Sequence, residues 1–311
     1  MPASTLRERP PDFERDLLAQ LSERWGRRVA VKRDELDLDG HFDPDLPDFP
    51  DYLVPVLRLP ATRAADEDAR RQILSAGWIS YNAKTAAIED EVILPACRLM
   101  LTGRVPVRQD HVAVAALHQT IIDEYYHILM CHNAVGVTRR RRGLEGLDFA
   151  PGDWSVVAGL EAARDGLDGP ARDLTEIAFA LAAETTISGY LSTLADATDI
   201  QPMNRMTTDL HRRDESGHAV IFRELASSLY GSLSGSDQEL FRAALARGLA
   251  AFRAPDTQPW VSVAAAGEVA TSADEVAALA AAGAAPARDT RPLEVLLREL
   301  GISAELLAAS S

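Results

Sequence analysis

The stretch HRRDESGHAV, residues 211–220, carries three potential metal-binding side chains at helical spacing. Within it His211, Glu215 and His218 are spaced four and three residues apart, so on an α-helix their side chains lie in one narrow stripe. Imidazole and carboxylate groups together are the usual ligands of iron or manganese in the cores of helix bundles. The stretch therefore predicts a long helix, about residues 203–230, that presents metal ligands to a bundle interior.

An upstream stretch, HQTIIDEYYHILMCH at residues 118–132, repeats part of this pattern. Glu124 and His127 are three residues apart, so both project from one helix face and can grip a single metal ion. One Glu-x-x-His pair is a weak signal, because it often arises by chance on a solvated face. Two such helices in one chain are far less frequent by chance, so we interpret both as metal-binding helices.

A lone acidic residue interrupts the apolar stretch IAFALAAETTISGYLSTLA, residues 177–195. Glu184 is the only charged residue in that stretch. Burying an unpaired carboxylate costs roughly several kcal/mol, so Glu184 requires a cation or strong hydrogen bonds. A structural glutamate bonded to Arg or Tyr is the alternative. Beside two histidine-bearing helices, a metal ligand is the better interpretation.

The fourth carboxylate is expected from IEDEVILP, which offers three candidates: Glu89, Asp90 and Glu91. Glu89 follows Asn82 and Thr85 on one helix face. Glu91 points about 200° away at roughly 100° per residue, toward solvent or a salt bridge. We therefore assign Glu89 to the metal-binding face.

Together, two helices contribute one glutamate each and two contribute a Glu-x-x-His pair, which is the di-metal pattern of ferritin-like bundles. Four carboxylates balance the charge of two divalent cations. His211 departs from the general pattern, because a seventh ligand makes one metal site richer in nitrogen.

This set of residues closely resembles the p-aminobenzoate N-oxygenase (AurF-like) family of non-haem di-iron oxygenases, in the ferritin-like superfamily. The resemblance covers the four core helices, roughly residues 70–230. It rests on the order of the ligands and on the intervals between them, 35 residues from Glu89 to Glu124, 60 to Glu184 and 27 to His211.

The resemblance implies two iron ions, dioxygen as co-substrate and an external electron donor. It divides the ligands into two groups, Glu89, Glu124 and His127 for one iron and Glu184, His211, Glu215 and His218 for the other, with Glu124 and Glu215 as bridges. An amine, of the arylamine class, then becomes a hydroxylamine and proceeds through nitroso to nitro. Such a reaction belongs to secondary metabolite and antibiotic biosynthesis.

The substrate pocket is expected close to the ligands. Tyr81 and Lys84 precede Glu89 by one to two turns, and Tyr190 follows Glu184 by nearly two, so these three residues are candidates to line it. Lys84 suits the anchoring of a substrate carboxylate. The alternatives are that the tyrosines are ordinary core side chains and that Lys84 faces solvent.

Three other functions compete with N-oxygenation. The same cluster serves carbon hydroxylases and desaturases, but the added nitrogen ligand His211 favours N-oxygenation. A ferritin-like iron store or peroxide scavenger is the second alternative, and the uncharged surroundings of Glu184 argue against it. A helical scaffold without metal is the third, and it requires seven ionisable residues to converge by chance.

Composition limits the possible partners and the cellular location of the protein. The chain has 311 residues, 47% of them hydrophobic, and a net charge of -15, which argues against nucleic acid or an anionic membrane as a partner. Cys97 and Cys131 lie in apolar stretches and suggest no disulfide framework. The first residues lack the apolar core of a signal peptide, so a cytoplasmic location is expected. By analogy with related bundles, which often pair through the outer faces of their first helices, a homodimer is expected.

The predicted fold class is all-α, a ferritin-like four-helix bundle with added helices at both ends. Within a single domain we expect an N-terminal arm at 1–65, the di-iron bundle at 66–253 and a C-terminal helical extension at 254–311 with two helices. We also expect one helix at 109–133, followed by an exposed connection that includes the RRRR run at 139–142, and another helix at 171–197. Pro95 is expected to kink or end its helix, and Ser236 and Glu239 are expected to form a capping box. Four histidines are not expected to bind metal: His41, His111, His118 and His132.

Overall fold

Helices account for all the long regular segments of the computed structural model, which describes residues 11–282 and 291–303. No β-strand occurs among these residues, so the all-α prediction is confirmed. The α-helices are α1 Pro11–Arg28, α2 Pro60–Arg63, α3 Glu67–Ile88, α4 Leu94–Leu101, α5 His111–Arg142, α6 Ser155–Arg164, α7 Gly169–Glu184, α8 Ile187–Ala195, α9 Pro202–Ser232, α10 Gly235–Arg253, α11 Thr257–Ala266, α12 Ala273–Ala281 and α13 Arg291–Glu299.

The bundle core consists of α3, α5, α7 and α9 with their short continuations α4 and α8. In this core α3 and α4 pack along α5, α5 packs along α9, and α9 packs along both α7 and α8. The interior is filled by large buried side chains, among them Trp78, Phe179 and Phe222. Burying each of these side chains contributes about 1.5–3 kcal/mol of hydrophobic stabilisation. The apolar core therefore helps to offset the cost of burying a polar cluster.

A wide helical turn separates α3 from α4. Residues Glu89–Ile93 form one π-helical turn, in which the amide of Leu94 donates to the carbonyl of Glu89, five residues back. Pro95 follows directly and has no N–H to donate to the carbonyl of Glu91, so a regular α-helical bond is missing there. The irregularity expected at Pro95 is present, and it begins at the predicted ligand Glu89.

The segment predicted as one helix over 171–197 is two helices, so that prediction was wrong. The hydroxyls of Thr185 and Thr186 donate to the carbonyls of Leu181 and Ala182, each at 2.7 Å. Such bonds compete with the backbone ladder and bend helices. As a result α7 ends at Glu184, directly at the cluster.

The basic run 139–142 is helical, so its prediction as a connection was wrong. The arginines form the last turn of α5, where cations interact favourably with the helix dipole. Gly143 then ends the helix in the left-handed conformation, with φ of 71°. Arg142 also bonds the fully buried Asp48 at 2.8 Å, so this turn anchors the N-terminal segment.

Both ends of the chain pack on the bundle. α1 lies against α5 and α9, and α10 lies along α7 and α6. Ser234 caps α10 by accepting from the amide of Asp237. The helix therefore begins before Ser236, and the capping box predicted for Ser236 and Glu239 was wrong. Three helices follow α10 within the described residues, where two were expected. None of the helices in the described part of the chain is long and apolar enough to cross a bilayer.

Helix α6 approaches α10 closely at Gly159. A Cβ atom at this position would lie 2.6 Å from the Cβ of Ala251. We expect Gly159→Ala to lower the free energy of unfolding by about 1–3 kcal/mol, because the helices must move apart. Gly26→Ala is the control: nothing lies within 4 Å of its added Cβ, and the gain in helix propensity should stabilise by about 0.5–1 kcal/mol. Urea denaturation followed by circular dichroism measures both, and stabilisation by both variants would contradict the packing described.

Candidate metal centre

Six of the seven predicted ligands meet at the centre of the bundle. Their donor atoms form two overlapping groups in which all atoms lie within 4.8 Å of one another. The groups are Glu89, His127, His211 and Glu215, and Glu124, His127, Glu215 and His218. All six side chains are buried. The geometry therefore fits two adjacent metal ions that share the carboxylate of Glu215.

The first group is built around the Oε1 atoms of Glu89 and Glu215. The Nε2 atom of His211 lies 3.1 Å from both of these oxygens. The Nδ1 atom of His127 lies 3.4 Å from Glu215 Oε1 and 3.9 Å from Glu89 Oε1. Two imidazole nitrogens and two carboxylates thus face one point.

The second group lies one turn toward the C-terminus of α9 and one turn toward the N-terminus of α5. The Nδ1 atom of His218 is 2.8 Å from Glu124 Oε1 and 3.5 Å from Glu215 Oε1. Glu124 offers its other oxygen to His127 Nδ1 at 3.2 Å. Glu215 and His127 therefore belong to both groups, whereas Glu124 belongs to the second group and contacts the shared His127 through its other oxygen.

Glu184, the seventh predicted ligand, stands beside the second group without belonging to either set of converging atoms. Its side chain is buried and hydrogen-bonds Glu215. Burial, together with the negative charges of Glu215 and Glu124, holds the pKa of Glu184 well above its ordinary value. Its neighbours are thus those of the second group.

The structure places His211 with Glu89 and His127, whereas the sequence resemblance put it with Glu184 and His218. His211 and His218 are seven residues apart on α9, a rise of about 10 Å, with Glu215 between them. The two imidazoles therefore face opposite sides of Glu215, one toward each group.

Removing these groups from water shifts their titration strongly. Burial raises the pKa of Glu89 to about 7, although the imidazoles of His211 and His127 oppose the shift. Despite its burial, the hydrogen bond with His211 and the positive charges of His218 and His211 hold the pKa of Glu215 well below its usual range. Despite desolvation, the acidic neighbours raise the pKa of His127 and His218 well above the ordinary value. Positive charge between the carboxylates therefore stabilises the cluster.

Four buried donor atoms of the cluster have no hydrogen-bond partner among the described residues. They are Glu89 Oε2, Glu124 Oε1, Glu184 Oε2 and His218 Nδ1. Glu124 Oε1 and His218 Nδ1 lie only 2.8 Å apart, yet their orientation does not make a hydrogen bond. Buried polar atoms normally have a hydrogen-bond partner. Carboxylate oxygens and imidazole nitrogens that lie close together without one are suited to bind a cation. The residues present therefore fit a metal site.

A large cavity of about 1140 Å³ adjoins a small void of about 20 Å³ at the cluster. The two spaces share four lining residues, Thr85, Ile88, Ile187 and Phe252. These side chains form a neck through which a small group in the large cavity reaches the metal centre. A pocket of this size accommodates a drug-sized organic molecule.

Comparison with known proteins agrees with this arrangement. The family described as p-aminobenzoate N-oxygenase AurF matches residues 12–301. The chain belongs to this family. A curated relative, 4-aminobenzoate N-oxygenase of Streptomyces thioluteus, is 32% identical over 244 residues, which cover 77% of this chain and 72% of the relative. The chain is accordingly an enzyme of the oxidoreductase class, an N-oxygenase, as the sequence predicted.

The three residues proposed for the pocket of this N-oxygenase all line the large cavity: Tyr81, Lys84 and Tyr190. The tyrosine rings stack with centroids 5.4 Å apart. Lys84 is largely buried, so the alternative that it faces solvent was wrong. Its ammonium group pairs with Asp256, which also accepts hydrogen bonds from the backbone and hydroxyl of Ser155.

Two aspartates beside the cluster were missed from the sequence. Asp214 Oδ2 lies 3.3 Å from His127 Nε2, and Asp123 Oδ2 lies 3.2 Å from His218 Nε2. Each aspartate thus holds the outer nitrogen of a histidine on the other helix, which leaves Nδ1 for the metal. The sequence does contain a signal for these two aspartates, because both helices carry the same motif, Asp-Glu-x-x-His, at 123–127 and 214–218.

The last turns of α1 and the residues directly after it hold these aspartates in turn. The indole N–H of Trp25 donates to the carboxylate of Asp123 at 2.9 Å. The amide of Ala30 donates to Asp214 Oδ2 at 3.0 Å, and Arg28 bonds the backbone carbonyl of Asp214 at 3.1 Å. The N-terminal arm therefore takes part in the metal centre through the outer hydrogen bonds of two histidines.

We expect Asp123→Ala to weaken metal binding by about 10–100-fold, because His218 loses the bond that fixes its ring and tautomer. Trp25→Phe should weaken binding less, because Asp123 remains but loses its indole donor. Anaerobic titration with cobalt(II), followed by visible absorption, measures both. Glu23→Ala, on the exposed side of α1, is the matched control. Wild-type affinity in Asp123→Ala would show that Asp123 does not position His218.

Proposed function

We propose that this chain is a di-iron, dioxygen-dependent arylamine N-oxygenase. It converts an arylamine to the hydroxylamine and onward to nitroso and nitro products, in the biosynthesis of a secondary metabolite. The observation that carries the proposal is the convergence of buried, unpartnered carboxylate and imidazole atoms at the mouth of a large organic pocket. The family membership and the printed activity of the curated relative support it.

In this proposal the seven predicted ligands hold two iron ions. Glu89, His127 and His211 would hold one ion and Glu124, Glu184 and His218 the other, with the carboxylate of Glu215 available to both. Asp214 and Asp123 keep the Nδ1 atoms of His127 and His218 unprotonated and directed inward. When bound, the iron pair supplies the redox chemistry by which dioxygen is reduced.

The pocket residues bind and orient the amine. The neck formed by Thr85, Ile88, Ile187 and Phe252 admits the amine end of a flat molecule, while the larger cavity holds the remainder. The apolar neck excludes water from the reacting nitrogen. Burial keeps the pKa of Tyr81 well above its ordinary value, so its hydroxyl stays neutral beside the substrate.

The charged residues that line the cavity influence which arylamine binds. Among the described residues that line the cavity, the charged ones are Lys84, Arg253 and Asp256. Because Asp256 compensates the charge of Lys84, the anchoring of a substrate carboxylate by Lys84 competes with an existing ion pair. We propose that this pair disfavours small carboxylated arylamines relative to neutral ones.

Three further parts of the proposal concern the surroundings of the enzyme. An external electron donor is required, since each hydroxylation with dioxygen consumes two electrons beyond those of the amine. A cytoplasmic location agrees with two buried, free cysteines, Cys97 and Cys131. The homodimer expected by analogy remains a prediction.

The ligand assignment is tested by counting iron. After anaerobic loading with iron(II) and gel filtration, the wild type should retain two irons per chain. Glu89→Ala should lose one of them, because the first group loses its terminal carboxylate. Asp90→Ala, the exposed neighbour, is the matched control and should retain both. Retention of two irons by Glu89→Ala, measured by plasma mass spectrometry, would refute the assignment.

The reaction class is tested with the loaded wild type, a chemical reductant and ¹⁸O-labelled dioxygen. We expect label on the nitrogen of 4-aminobenzamide or another arylamine, detected by mass spectrometry. Label on carbon would establish the hydroxylase alternative. Oxidation and accumulation of iron well beyond two ions per chain, without labelled product, would establish an iron-handling protein.

Asp256→Asn should change the charge preference of the pocket. The variant removes the ion pair between Lys84 and Asp256 while leaving an amide oxygen for Ser155. We expect the ratio of kcat/KM for 4-aminobenzoate to that for 4-aminobenzamide to rise about tenfold, which corresponds to roughly 1.4 kcal/mol. Lys84→Met in the Asp256→Asn background should abolish the gain. An unchanged ratio in Asp256→Asn would show that the ion pair does not select substrates.

A further inference from the structure

A short basic segment at the end of α1 stands out in a chain with 32 basic and 47 acidic residues. Residues 24–33 contain five basic side chains and no acidic one. Four of the five are exposed and form what we call the basic patch: Arg24, Arg27, Lys32 and Arg33. Within the described part of the chain, none of these four makes an ion pair, whereas the arginine run at 139–142 is paired with aspartates. The basic patch is therefore a locally positive surface on an acidic protein.

The basic patch lies on the side of the bundle away from the large cavity. Helix α1 and the short helical turn Ala30–Lys32 both pack on α5 and α9, the two helices that carry the Asp-Glu-x-x-His motifs. The large cavity is lined by residues of α3, α8, α11 and α12, and none of the described residues of α1 lines it. A protein bound at the basic patch would therefore leave the cavity open to a substrate.

Trp25 joins the basic patch to the candidate metal centre. Its side chain is partly exposed, and the ammonium group of Lys32 lies 5.0 Å from the centroid of its ring. On the inner side, the indole N–H donates to the carboxylate oxygens of Asp123, each at 2.9 Å. Asp123 Oδ2 in turn lies 3.2 Å from His218 Nε2. Two hydrogen bonds thus lead from an indole at the surface to a predicted metal ligand.

The corresponding connection to the other motif histidine contains no aromatic ring. There Asp214 accepts from the backbone amide of Ala30 and holds His127. A backbone amide is thus sufficient to fix such an aspartate. An indole adds a delocalised π system, and electrons pass more readily through π systems and hydrogen bonds than across saturated side chains or gaps. The connection through Trp25 is therefore suited to electron transfer as well as to positioning.

We propose that the basic patch is the docking surface of an acidic one-electron carrier protein, whose electrons reach the metal centre through Trp25, Asp123 and His218. This inference rests on the proposed function, which requires an external electron donor. The electrons balance over two encounters. Each carrier molecule is oxidised by one electron, each iron(III) is reduced by one, and the three side chains end unchanged, with their protons in place.

Charge favours an acidic protein as the partner. A net charge of -15 repels such a protein at most surfaces, so a locally positive patch determines both where it binds and how it is oriented. Electron-transfer complexes are weak and bury less than about 1,200 Å², so a small patch is sufficient. Because exposed charges are screened by salt, association at the basic patch should depend strongly on ionic strength.

Docking is tested with an acidic plant-type iron–sulfur ferredoxin as the probe, on the full chain with and without iron. Surface plasmon resonance measures the association rate at low and at high salt. Arg24→Glu combined with Arg27→Glu should lower the rate at low salt at least about tenfold, because the steering charge is reversed. Arg58→Glu combined with Arg63→Glu is the matched control, since it changes the net charge equally at two other exposed arginines. The control should lower the rate much less, and circular dichroism verifies the folding of each variant.

The route is tested by anaerobic stopped-flow mixing of the oxidised, iron-loaded chain with saturating reduced ferredoxin. The change in visible absorption of ferredoxin reports its oxidation. Trp25→Phe should slow this step several-fold, because the ring remains but the N–H bond to Asp123 is lost. Tyr125→Phe, at an exposed aromatic position of α5 outside the route, is the control and should not slow it. All chains are compared at equal iron content.

Dithionite, a small reductant that needs no docking surface, separates the route from a general change in the metal centre. Trp25→Phe should slow reduction by dithionite less than reduction by ferredoxin. If the variant slowed both reductants equally, the effect would lie in the reduction potential of the centre rather than in the path, and the proposed route would be wrong.

Three further results would overturn the proposal. The first is an absence of salt-dependent binding of ferredoxin to the wild type. The second is an equal loss of association in the two double glutamate variants, which would show that net charge matters and the basic patch does not. The third is an unchanged rate of ferredoxin oxidation with Trp25→Phe. A wild type that retains no iron would instead refute the proposed function, and the metal-free chain would still report docking.

Discussion

The burial of carboxylates at the centre of an apolar bundle is the constraint on which the rest of the structure depends. Glu89, Glu124, Glu184 and Glu215 are all buried, and several of their oxygens have no hydrogen-bond partner among the described residues. Three buried imidazoles offset only part of this cost, because each is itself desolvated. Cations bound between these carboxylates would offset the remaining cost of their burial. The surrounding helices therefore must hold the seven side chains in place while the charge is compensated.

Two irregularities in the helices provide that positioning. The π-helical turn begins at Glu89, and the break after α7 begins at Glu184, so the two carboxylates outside the Asp-Glu-x-x-His motifs both stand where a regular helix is interrupted. The two motif helices are regular and support each other, since the aspartate of each holds a histidine of the other. Trp25 and Ala30 fix those aspartates from outside. The N-terminal segment thus completes the hydrogen-bond network rather than merely covering the bundle.

Much of this followed from the sequence, because ligand spacing on a regular helix is a local property. The stripe of His211, Glu215 and His218 and the Glu-x-x-His pair at 124–127 predicted side chains that the structure brings into two converging groups. The division of the histidines between the groups depends on how far α9 rises past α5, and the family resemblance had placed His211 in the other group. The break at Thr185 depended on hydroxyl bonds to the backbone, a tertiary choice that an apolar pattern does not reveal. Asp123 and Asp214 were overlooked although the repeated motif contained them.

The two faces of helix α5 have different compositions. The inner face presents Glu124 and His127 to the candidate metal centre, and the outer face exposes Ile122, Tyr125 and Leu129. Solvent-exposed helix faces usually carry lysine, arginine or glutamate, and the outer face of α5 has none before its last turn. Helices α1, α3, α4 and α9 all pack against α5. This packing raises the free energy of local opening of α5, so Glu124 and His127 are held by a helix that resists fraying.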